Sequence, residues 1–412
     1  MKRLLPFVAV VSVLSSFASF FALAEDNHAA PATIRRLDGS TISGSDAESF
    51  AKKTLEAAHV TGAQIAVLNS GHLVWSAAFG QRRTAETGAS LLMDTDTTLW
   101  AASITKSVFS TYVMQLVERG EFNLDLPISQ QLPQPLDTYE PYKFKASAIV
   151  HDPLWLTVTP RMLLSHTSGL ANFADLEADK KMRLRFKPGS QFLYSGEGIN
   201  LVQFVLEQRA QKPLDQILQE AFFTPLGMAR TGLIYRTEFA DDVADRYDLN
   251  EKFRSKTQRF PARAAGSMTT SAEDLARFVS ALFAGKILKP ATMQQMFHPY
   301  FVIHDEHEFP LKANEPESAE APGVGLGYGV GWGLLTHTKF GPAFFKEGHG
   351  DGAQNYILCF ERSQSCMIIL TNSDNGELAF RPLLETILGD TVTPWEWEGY
   401  TPSYIEASRK NQ

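Results

Sequence analysis

The stretch that decides the fold reads Trp100-Ala101-Ala102-Ser103-Ile104-Thr105-Lys106-Ser107. It opens a largely apolar segment whose hydrophobic residues share one broad face, which predicts a helix from Ser103 to Glu118 that ends before Gly120. Residues three apart on a helix lie on the same face, so this spacing places the hydroxyl of Ser103 beside the amine of Lys106. A lysine amine removed from water can act as the base that activates a serine.

The Ser-x-x-Lys spacing occurs twice, at Ser49 to Lys52 and at Ser103 to Lys106, and composition alone can produce such matches. Ser49 falls inside a second predicted helix, Asp46 to Ala58, among charged neighbours, where its hydroxyl is expected to be a solvated surface group. Ser103 stands at the start of an apolar helix, where main-chain N–H groups are unpaired and the helix dipole is positive. The alternative for Ser103 is a simple helix cap.

Strand patterns lie on both sides of this helical region. Early in the chain, Gln64 to Leu68 and His72 to Phe79 flank a turn at residues 69–71 and predict a hairpin. Late in the chain, glycine alternates with bulky residues from Gly323 to Gly333, which predicts a strand with one bare face. Further late strands are expected at Phe344 to Glu347, Tyr356 to Phe360 and Met367 to Thr371.

The middle of the chain is predominantly helical from Leu99 to Leu226. Further helices are predicted from Gly198 to Arg209 and from Ser271 to Phe283, where the Ser271 side chain can act as the cap. Pro382 fits best in the first turn of a final helix that reaches Leu388.

This order of elements predicts an α/β (α+β) domain with a single antiparallel sheet, flanked by helices, that is built from the two terminal segments. We expect the sheet to come from about residues 60–98 and 323–390, and an inserted, mainly helical lobe from about residues 99–322. The domain would span residues 43–390, after a leader at 25–42 and before a tail at 391–412. A groove between sheet and lobe is the natural place for a site.

The composition is that of an ordinary globular protein, with 412 residues of which 44% are hydrophobic and 20% charged. The 38 basic and 46 acidic side chains form no basic stripe, so nucleic acid is not an expected partner. The chain has no Gly-x-Ser-x-Gly elbow, no Walker loop and no His-Glu-x-x-His motif. His298, His304 and His307 match no familiar zinc spacing, and no metal or cofactor is expected.

The first 24 residues have the pattern of a secretory signal. Lys2 and Arg3 precede an apolar stretch from Leu4 to Phe21, and small residues at 22–24 provide a cleavage site. The alternative is an uncleaved membrane anchor, because the apolar stretch approaches the length of a membrane span. The pattern favours a periplasmic or secreted protein with no stable membrane insertion after cleavage.

Two cysteines, Cys359 and Cys366, stand at facing ends of two predicted strands. Opposed positions in such a hairpin can lie within reach of a disulfide, and disulfides persist outside the cytosol. The alternative is a pair of buried free thiols.

Several stretches together resemble one family. Residues 100–107 look like the nucleophile motif of the serine β-lactamase and penicillin-binding protein superfamily, in particular the branch of class C β-lactamases, DD-peptidases and related esterases. Residues 163–170 are similar to the LLxHTSGL signature of that branch, residues 188–195 to its PGxxFxYS element, and residues 266–278 to its GxxxTxxDLxRF helix. The resemblance extends from about Gly44 to Leu388. It implies the β-lactamase/transpeptidase fold and a hydrolase that needs no metal or cofactor.

The resemblance also implies roles for individual residues. Ser103 would be the nucleophile, and Tyr194 would take its proton and return it to the leaving group. The charge of Lys106 would hold the pKa of that tyrosine down. His349 would belong to a third motif, K/H-x-G, and donate a hydrogen bond to the tyrosine or to a substrate carboxylate. The oxyanion hole would pair the main-chain N–H of Ser103 with that of Gly352. His166 in the LLxHTSGL element is expected to be structural.

Two departures from the family pattern bear on the substrate, a small molecule or a peptide. Gly196 stands where the second motif commonly ends in asparagine, so binding of an acylamino group is expected to be weak. Asp351 stands at the usual glycine of the third motif and would repel a substrate carboxylate. These residues predict an exported serine hydrolase that forms an acyl-enzyme on Ser103 with an ester or amide. The alternatives are a DD-peptidase or true β-lactamase, and a non-catalytic binding protein that retains the fold; the oligomeric state stays open.

Overall fold

An antiparallel sheet of nine strands organises the computed structural model, which describes residues 32–258, 261–310 and 316–410. The predicted signal segment at residues 1–24 and the first part of the leader lie outside these ranges. From Ala32 onwards the chain forms one compact unit. In the described ranges, no helix is both long enough and apolar enough to cross a membrane.

The strands are β1 Thr33–Arg35, β2 Thr41–Ser43, β3 Gly62–Asn69, β4 His72–Arg83, β5 Leu91–Leu92, β6 Leu99–Trp100, β7 Asp245–Tyr247, β8 Phe253–Lys256, β9 Thr269–Thr270, β10 Phe301–Val302, β11 Leu326–Tyr328, β12 Gly333–Leu335, β13 Ala343–Gly350, β14 Ala353–Phe360 and β15 Ser365–Thr371. The helices are α1 Gly44–Ala57, α2 Ile104–Glu118, α3 Pro160–Leu164, α4 Gly196–Ala210, α5 Leu214–Leu218, α6 Ala272–Phe283, α7 Pro290–Met296, α8 Ala321–Val324, α9 Glu377–Leu383 and α10 Pro402–Lys410.

The order of strands in the large sheet is β10-β11-β12-β13-β14-β15-β3-β4-β5. Strand β3 therefore pairs with β15, with Leu68 opposite Cys366, and the early and late parts of the chain share one sheet. The predicted fold class is confirmed. The middle of the chain also contributes a strand to the edge, β10, which the sequence analysis did not anticipate.

Alternate residues of the central strands pack on opposite faces of the sheet, as the period of two requires. Ile357 and Cys359 of β14 join a core that includes α2, α4 and α6. Tyr356 and Leu358 of the same strand join a second core formed with α1 and α9. The sheet is thus covered on both sides. The first core joins the sheet to the helical lobe, because it contains residues of both.

The predicted helices agree with α1, α2, α4 and α6 to within about two residues. Their starts have a local cause, because serine side chains accept hydrogen bonds from unpaired N–H groups of the first turn. The hydroxyl of Ser43 accepts from the N–H of Asp46, and that of Ser271 accepts from the N–H of Asp274.

The single strand predicted from Gly323 to Gly333 is wrong. Gly325 and Gly331 have φ values of 63° and 76°, a left-handed conformation that breaks an extended chain. The segment instead forms α8, β11 and the first residue of β12. A Cβ on Gly331 would lie 2.2 Å from the Ser110 hydroxyl, so this glycine lets the turn pack against α2.

Strands and helices continue beyond both expected ends of the domain. The second half of the leader forms the small β1–β2 hairpin. Pro382 lies inside α9, which begins at Glu377 and continues as a π-helical turn over Leu384–Leu388, so the prediction that Pro382 stands in the first turn of this helix is wrong. The expected tail at 391–412 packs Trp397 and Tyr400 into the core, at 0% and 4% exposure, before α10 begins.

The two cysteines are joined as a disulfide between facing positions of β14 and β15. Both side chains are fully buried. Of the two alternatives left by the sequence, the structure supports the disulfide.

Candidate active site

Ser103 precedes the first residue of α2, and Lys106 lies in its first turn. The Lys106 amine is 2.9 Å from the Ser103 hydroxyl oxygen and donates to the carbonyl of Ala265 at 2.5 Å. Lys106 is 1% exposed, and burial, with a contribution from the charge of Lys346, lowers its pKa well below the ordinary value. The lowered pKa favours the neutral amine, which can accept the proton of Ser103.

The backbone before Ser103 is held in an unusual conformation. Ala102 has a φ of 46°, in the left-handed region that residues with a Cβ seldom adopt. The N–H of Ala101 donates to the carbonyl of Met268 at 2.9 Å, which fixes the entry to the turn. Within the described residues the N–H of Ser103 makes no hydrogen bond, so it is free to donate to a ligand.

Tyr194 lies over the same amine. The nitrogen of Lys106 is 4.9 Å from the centre of the tyrosine ring, and that of Lys346 is 4.7 Å away. Burial raises the pKa of Tyr194 well above its ordinary value, and its hydroxyl makes no hydrogen bond within the described residues. The phenol is therefore neutral, and the predicted lowering of its pKa is not found, because the burial of the tyrosine itself dominates.

His166 supports the backbone around Tyr194. Its Nδ1 accepts a hydrogen bond from the N–H of Ser195 at 3.2 Å, and its ring centre lies 4.3 Å from that of Tyr194. Burial lowers the pKa of His166 well below its ordinary value, so the ring is neutral. The expected structural role agrees with these contacts.

Strand β13 brings Lys346, Glu347 and Gly348 to the nucleophile. Lys346 is fully buried, Glu347 lines the cavity beside Ser103, and Gly348 packs against the backbone of Ala101. Burial lowers the pKa of Lys346 to about 8, although nearby Glu308 opposes the shift. These three residues fit the K-x-G pattern in full. The motif predicted from the sequence lies three residues later, at His349 to Asp351.

His349 lies in the cavity with Ser103, but its imidazole does not reach Tyr194. Its Nε2 is 2.7 Å from the hydroxyl of Tyr400 and 3.2 Å from a carboxylate oxygen of Glu377. Burial, with the charges of the nearby lysines, lowers the pKa of His349, so the ring is neutral. The hydrogen bond to Tyr194 predicted for His349 is therefore wrong, and the alternative role toward a substrate carboxylate stays a prediction.

Gly352 cannot supply the second N–H of the oxyanion hole. It lies in the turn after β13, where its N–H donates to the carboxylate of Asp374 at 2.5 Å. Asp351 belongs to the same turn, and its carboxylate pairs with Arg254 at 3.1 Å. The predictions for Gly352 and Asp351 both depended on placing the third motif at His349. The carboxylate that lines the catalytic cavity is that of Glu347.

Gly196 begins α4 in a confined place. A Cβ there would lie 2.8 Å from the Phe173 ring, and its N–H donates to the side-chain oxygen of Asn172 at 2.8 Å. Both Asn172 and Phe173 line the cavity. A side-chain amide is therefore present near the site, but it comes from the segment after the LLxHTSGL element. In the sequence, the only sign of a role for Asn172 is its position directly after the LLxHTSGL element.

The cavity has a volume of about 530 Å³, and Ser103, Lys106, Tyr194 and His349 all line it. Of the predicted site residues, only Gly352 does not line it. Ser49 belongs to the exposed face of α1, where Lys52 pairs with Glu56.

Three carboxylates, one of which lines the cavity, lie close enough to one another to share a cation. Ligand oxygens of Glu308, Glu347 and Glu398 are all within 4.8 Å of one another. The amine of Lys346 donates to Glu347, so a lysine already provides positive charge at this cluster. Burial raises the pKa of Glu308 to about 7, and the charges of Lys346 and Lys106 limit the rise.

Comparison with known proteins assigns the chain to a family. The Beta-lactamase family profile matches residues 47–388. The chain is 26% identical over 332 residues to a Lovastatin esterase of Penicillium rubens, covering 68% of this chain and 80% of that protein. It is 25% identical over 364 residues to Penicillin-binding protein 4 of Amycolatopsis lactamdurans, covering 81% and 86%.

The fold also matches solved structures. A D-amino acid amidase from Ochrobactrum anthropi SV3, complexed with L-phenylalanine, superposes with a TM-score of 0.60 at 21% identity, covering 89% of this chain and 99% of that one. At this identity the match supports the fold alone. The family profile covers most of the sequence, and the chain therefore belongs to the beta-lactamase family of hydrolases.

Proposed function

We propose that the protein is a serine hydrolase that forms an acyl-enzyme on Ser103 and cleaves ester or amide bonds. The observation that carries this proposal is the 2.9 Å contact between the Lys106 amine and the Ser103 hydroxyl, in a cavity that Tyr194 also lines. A nucleophile next to a buried amine whose pKa is lowered is the arrangement that covalent catalysis needs.

In the first step, Lys106 takes the proton of Ser103 as its oxygen attacks the substrate carbonyl. The N–H of Ser103 stabilises the resulting oxyanion. We propose the main-chain N–H of His349 as the second donor, because this residue follows the K-x-G pattern on β13 and lines the same cavity.

In the second step, the bond to the leaving group breaks and Tyr194 donates its proton to the departing oxygen or nitrogen. The neutral state of the phenol suits this role, because a phenolate could not donate. The proton held by Lys106 then restores Tyr194. Water then attacks the acyl-enzyme while Lys106 takes its proton. As the bond between the acyl group and Ser103 breaks, Lys106 returns that proton to the Ser103 oxygen, and the carboxylic acid and free Ser103 are released.

We further propose that simple esters are better substrates than β-lactams. The Phe173 ring fills the space beside Gly196, where an acylamino group would need room and a partner. Glu347 adds a carboxylate to the cavity, which disfavours a negatively charged substrate.

Export to the periplasm or the medium is also a proposal. It is supported by the signal-like pattern of residues 1–24 and by the disulfide between Cys359 and Cys366, a bond that persists in oxidising compartments. We place the mature protein outside the cytosol on these two grounds.

The deciding experiment is labelling with a fluorophosphonate, read by intact mass. The wild-type protein should gain one adduct, the Ser103→Ala variant none, and the matched Ser49→Ala variant should label at the wild-type rate. Labelling of the Ser103→Ala variant at that rate would overturn the nucleophile assignment. A folded wild-type protein that neither labels nor hydrolyses esters would favour the non-catalytic binding protein.

A further inference from the structure

A second cavity of about 440 Å³ adjoins the catalytic cavity. The side chains of Phe309 and His349 line both spaces, so these two residues stand where the cavities meet. On its far side, the second cavity is bounded by the turn after β13 and by residues 398–405 of the C-terminal segment. The groove that begins at Ser103 therefore has room to continue in this direction, and Phe309 and His349 limit it there.

The ring of Phe309 stands beside the tyrosine that lines the catalytic cavity. Its centre is 5.3 Å from that of the Tyr194 ring and 6.5 Å from that of the His349 ring. Phe309 is 37% exposed although it contacts the buried Tyr194, since two open cavities border it. A large apolar surface is thus available to a ligand at this point.

The C-terminal segment fixes the position of Phe309. The N–H of Glu308 donates to the carbonyl of the buried Trp397 at 2.9 Å, and the hydroxyl of Tyr404 donates to the carbonyl of Phe309 at 2.6 Å. These two bonds hold adjacent residues of one loop, so the ring has a defined place before any substrate binds. Both partners lie after residue 388, where the match to the family profile ends.

The position of the ring determines which part of a substrate meets it. In the proposed mechanism Tyr194 gives its proton to the departing oxygen or nitrogen, so the leaving group lies next to Tyr194. Because Phe309 packs against Tyr194, a long alcohol or amine portion meets the Phe309 ring as it extends from the cleaved bond. The acyl portion is attached to the other side of the carbonyl carbon and does not have to pass this ring.

We propose that Phe309 is a specificity-determining residue, whose ring separates the two cavities and limits the length of the leaving group. The preferred substrates are then esters or amides of short alcohols or amines. This inference rests on the proposed serine hydrolase function. It adds the substrate class, which neither the nucleophile nor its base determines.

The test compares hexyl butyrate with ethyl butyrate, two esters that differ only in the leaving group. In the Phe309→Ala variant, the ratio of kcat/KM for hexyl butyrate to that for ethyl butyrate should rise at least about tenfold over the wild-type ratio, because discrimination by a pocket wall has this size. The ratio of ethyl octanoate to ethyl butyrate, which varies the acyl portion, should stay unchanged. A general loss of structure would lower all of these rates together and would not move the first ratio alone.

Two further variants complete the comparison. Phe144→Ala removes a ring that is 63% exposed and lines neither cavity, and it should leave both ratios at the wild-type values. Tyr404→Phe keeps its ring and loses the hydrogen bond to Phe309, so it should raise the leaving-group ratio in the same direction, but less than Phe309→Ala does. An unchanged ratio in Tyr404→Phe would show that the C-terminal segment does not position Phe309.

A binding measurement separates this inference from the chemistry. N-Hexylbutanamide should raise the melting temperature of the Phe309→Ala variant more than that of the wild-type protein, whether or not any ester is cleaved. An unchanged leaving-group ratio in Phe309→Ala, or a shift confined to the acyl series, would overturn the inference and leave the hydrolase proposal intact. If no ester is cleaved and Ser103 does not label, the hydrolase proposal fails, and the melting temperatures alone decide the inference. An equal rise in both proteins then overturns it.

Discussion

A Cβ added to Gly348 would lie 2.4 Å from the carbonyl oxygen of Ala101, a distance that real Cβ atoms do not reach. The two backbones therefore touch directly. One belongs to strand β13, and the other belongs to Ala101, which lies two residues before the nucleophile. This contact sets how far the strand stands from Ser103. It also explains why a glycine is required at the third position of Lys346-Glu347-Gly348.

The substitution Gly348→Ala should both destabilise the protein and slow its acylation. Overpacking at such a contact costs roughly 1 to 3 kcal/mol, and movement of β13 would displace Glu347 and His349 from the cavity. The melting temperature and the rate of fluorophosphonate labelling are the measurements. Gly323→Ala is the matched control, because a Cβ there meets nothing within 4 Å. Equal effects of the two substitutions would contradict the contact.

Glu308 should make the protein less stable as pH rises from about 5 to 7. Burial raises its pKa from 4.5 to about 7, so in this interval the folded state keeps a proton that the unfolded state releases. The free energy of unfolding then falls with pH, by at most about 1.4 kcal/mol per unit for one proton. In the Glu308→Gln variant this fall should be shallower, as measured by urea unfolding at pH 5 and pH 7. An unchanged pH dependence, with Glu140→Gln as reference, would contradict the burial of an ionisable Glu308.

The disulfide gives a direct chemical prediction. Peptide mapping without reductant, on protein recovered from an oxidising compartment, should yield one linked fragment that contains Cys359 and Cys366. Because both side chains are fully buried, alkylation of the native protein should find no reactive thiol. Recovery of two free, alkylated cysteines would show that the bond does not form.

The preference for esters can be measured with a short-chain nitrophenyl ester and a chromogenic cephalosporin on one preparation. The crowding at Gly196 and the carboxylate of Glu347 should together cost a few kcal/mol, which makes kcat/KM for the ester about a hundredfold higher or more. Arg263 also lines the cavity and offers a positive charge, so Arg263→Ala should widen the gap. Comparable turnover of both substrates would move the β-lactamase alternative to first place.

The parts of the site that follow local rules could be predicted from the sequence. The contact between Ser103 and Lys106 depends only on helix geometry and on the apolar face that buries α2. The hairpin of β3 and β4 and the caps of α1 and α6 are equally local. For these elements, neighbouring residues contain the information that determines the structure.

The rest depended on partners distant in the chain. The turn after β13 falls at Asp351 and Gly352, and the register that follows puts Lys346 rather than His349 against Tyr194. Tyr400 and Glu398 lie in a segment without periodicity, so nothing local shows that they reach the site. The pKa of Tyr194 depends on burial, which no short motif reveals.

The pairing of β3 with β15 has a consequence for how the chain acquires its structure. The side-chain contact between Asn69 and Ser365 joins residues separated by 296 positions, so the β15 side of β3 stays unpaired until nearly the whole chain has been synthesised. Contacts of such long range make folding slow. An unpaired strand edge and uncovered apolar surface favour aggregation of a partly folded chain, so we expect completion of this sheet to be the step most sensitive to protein concentration.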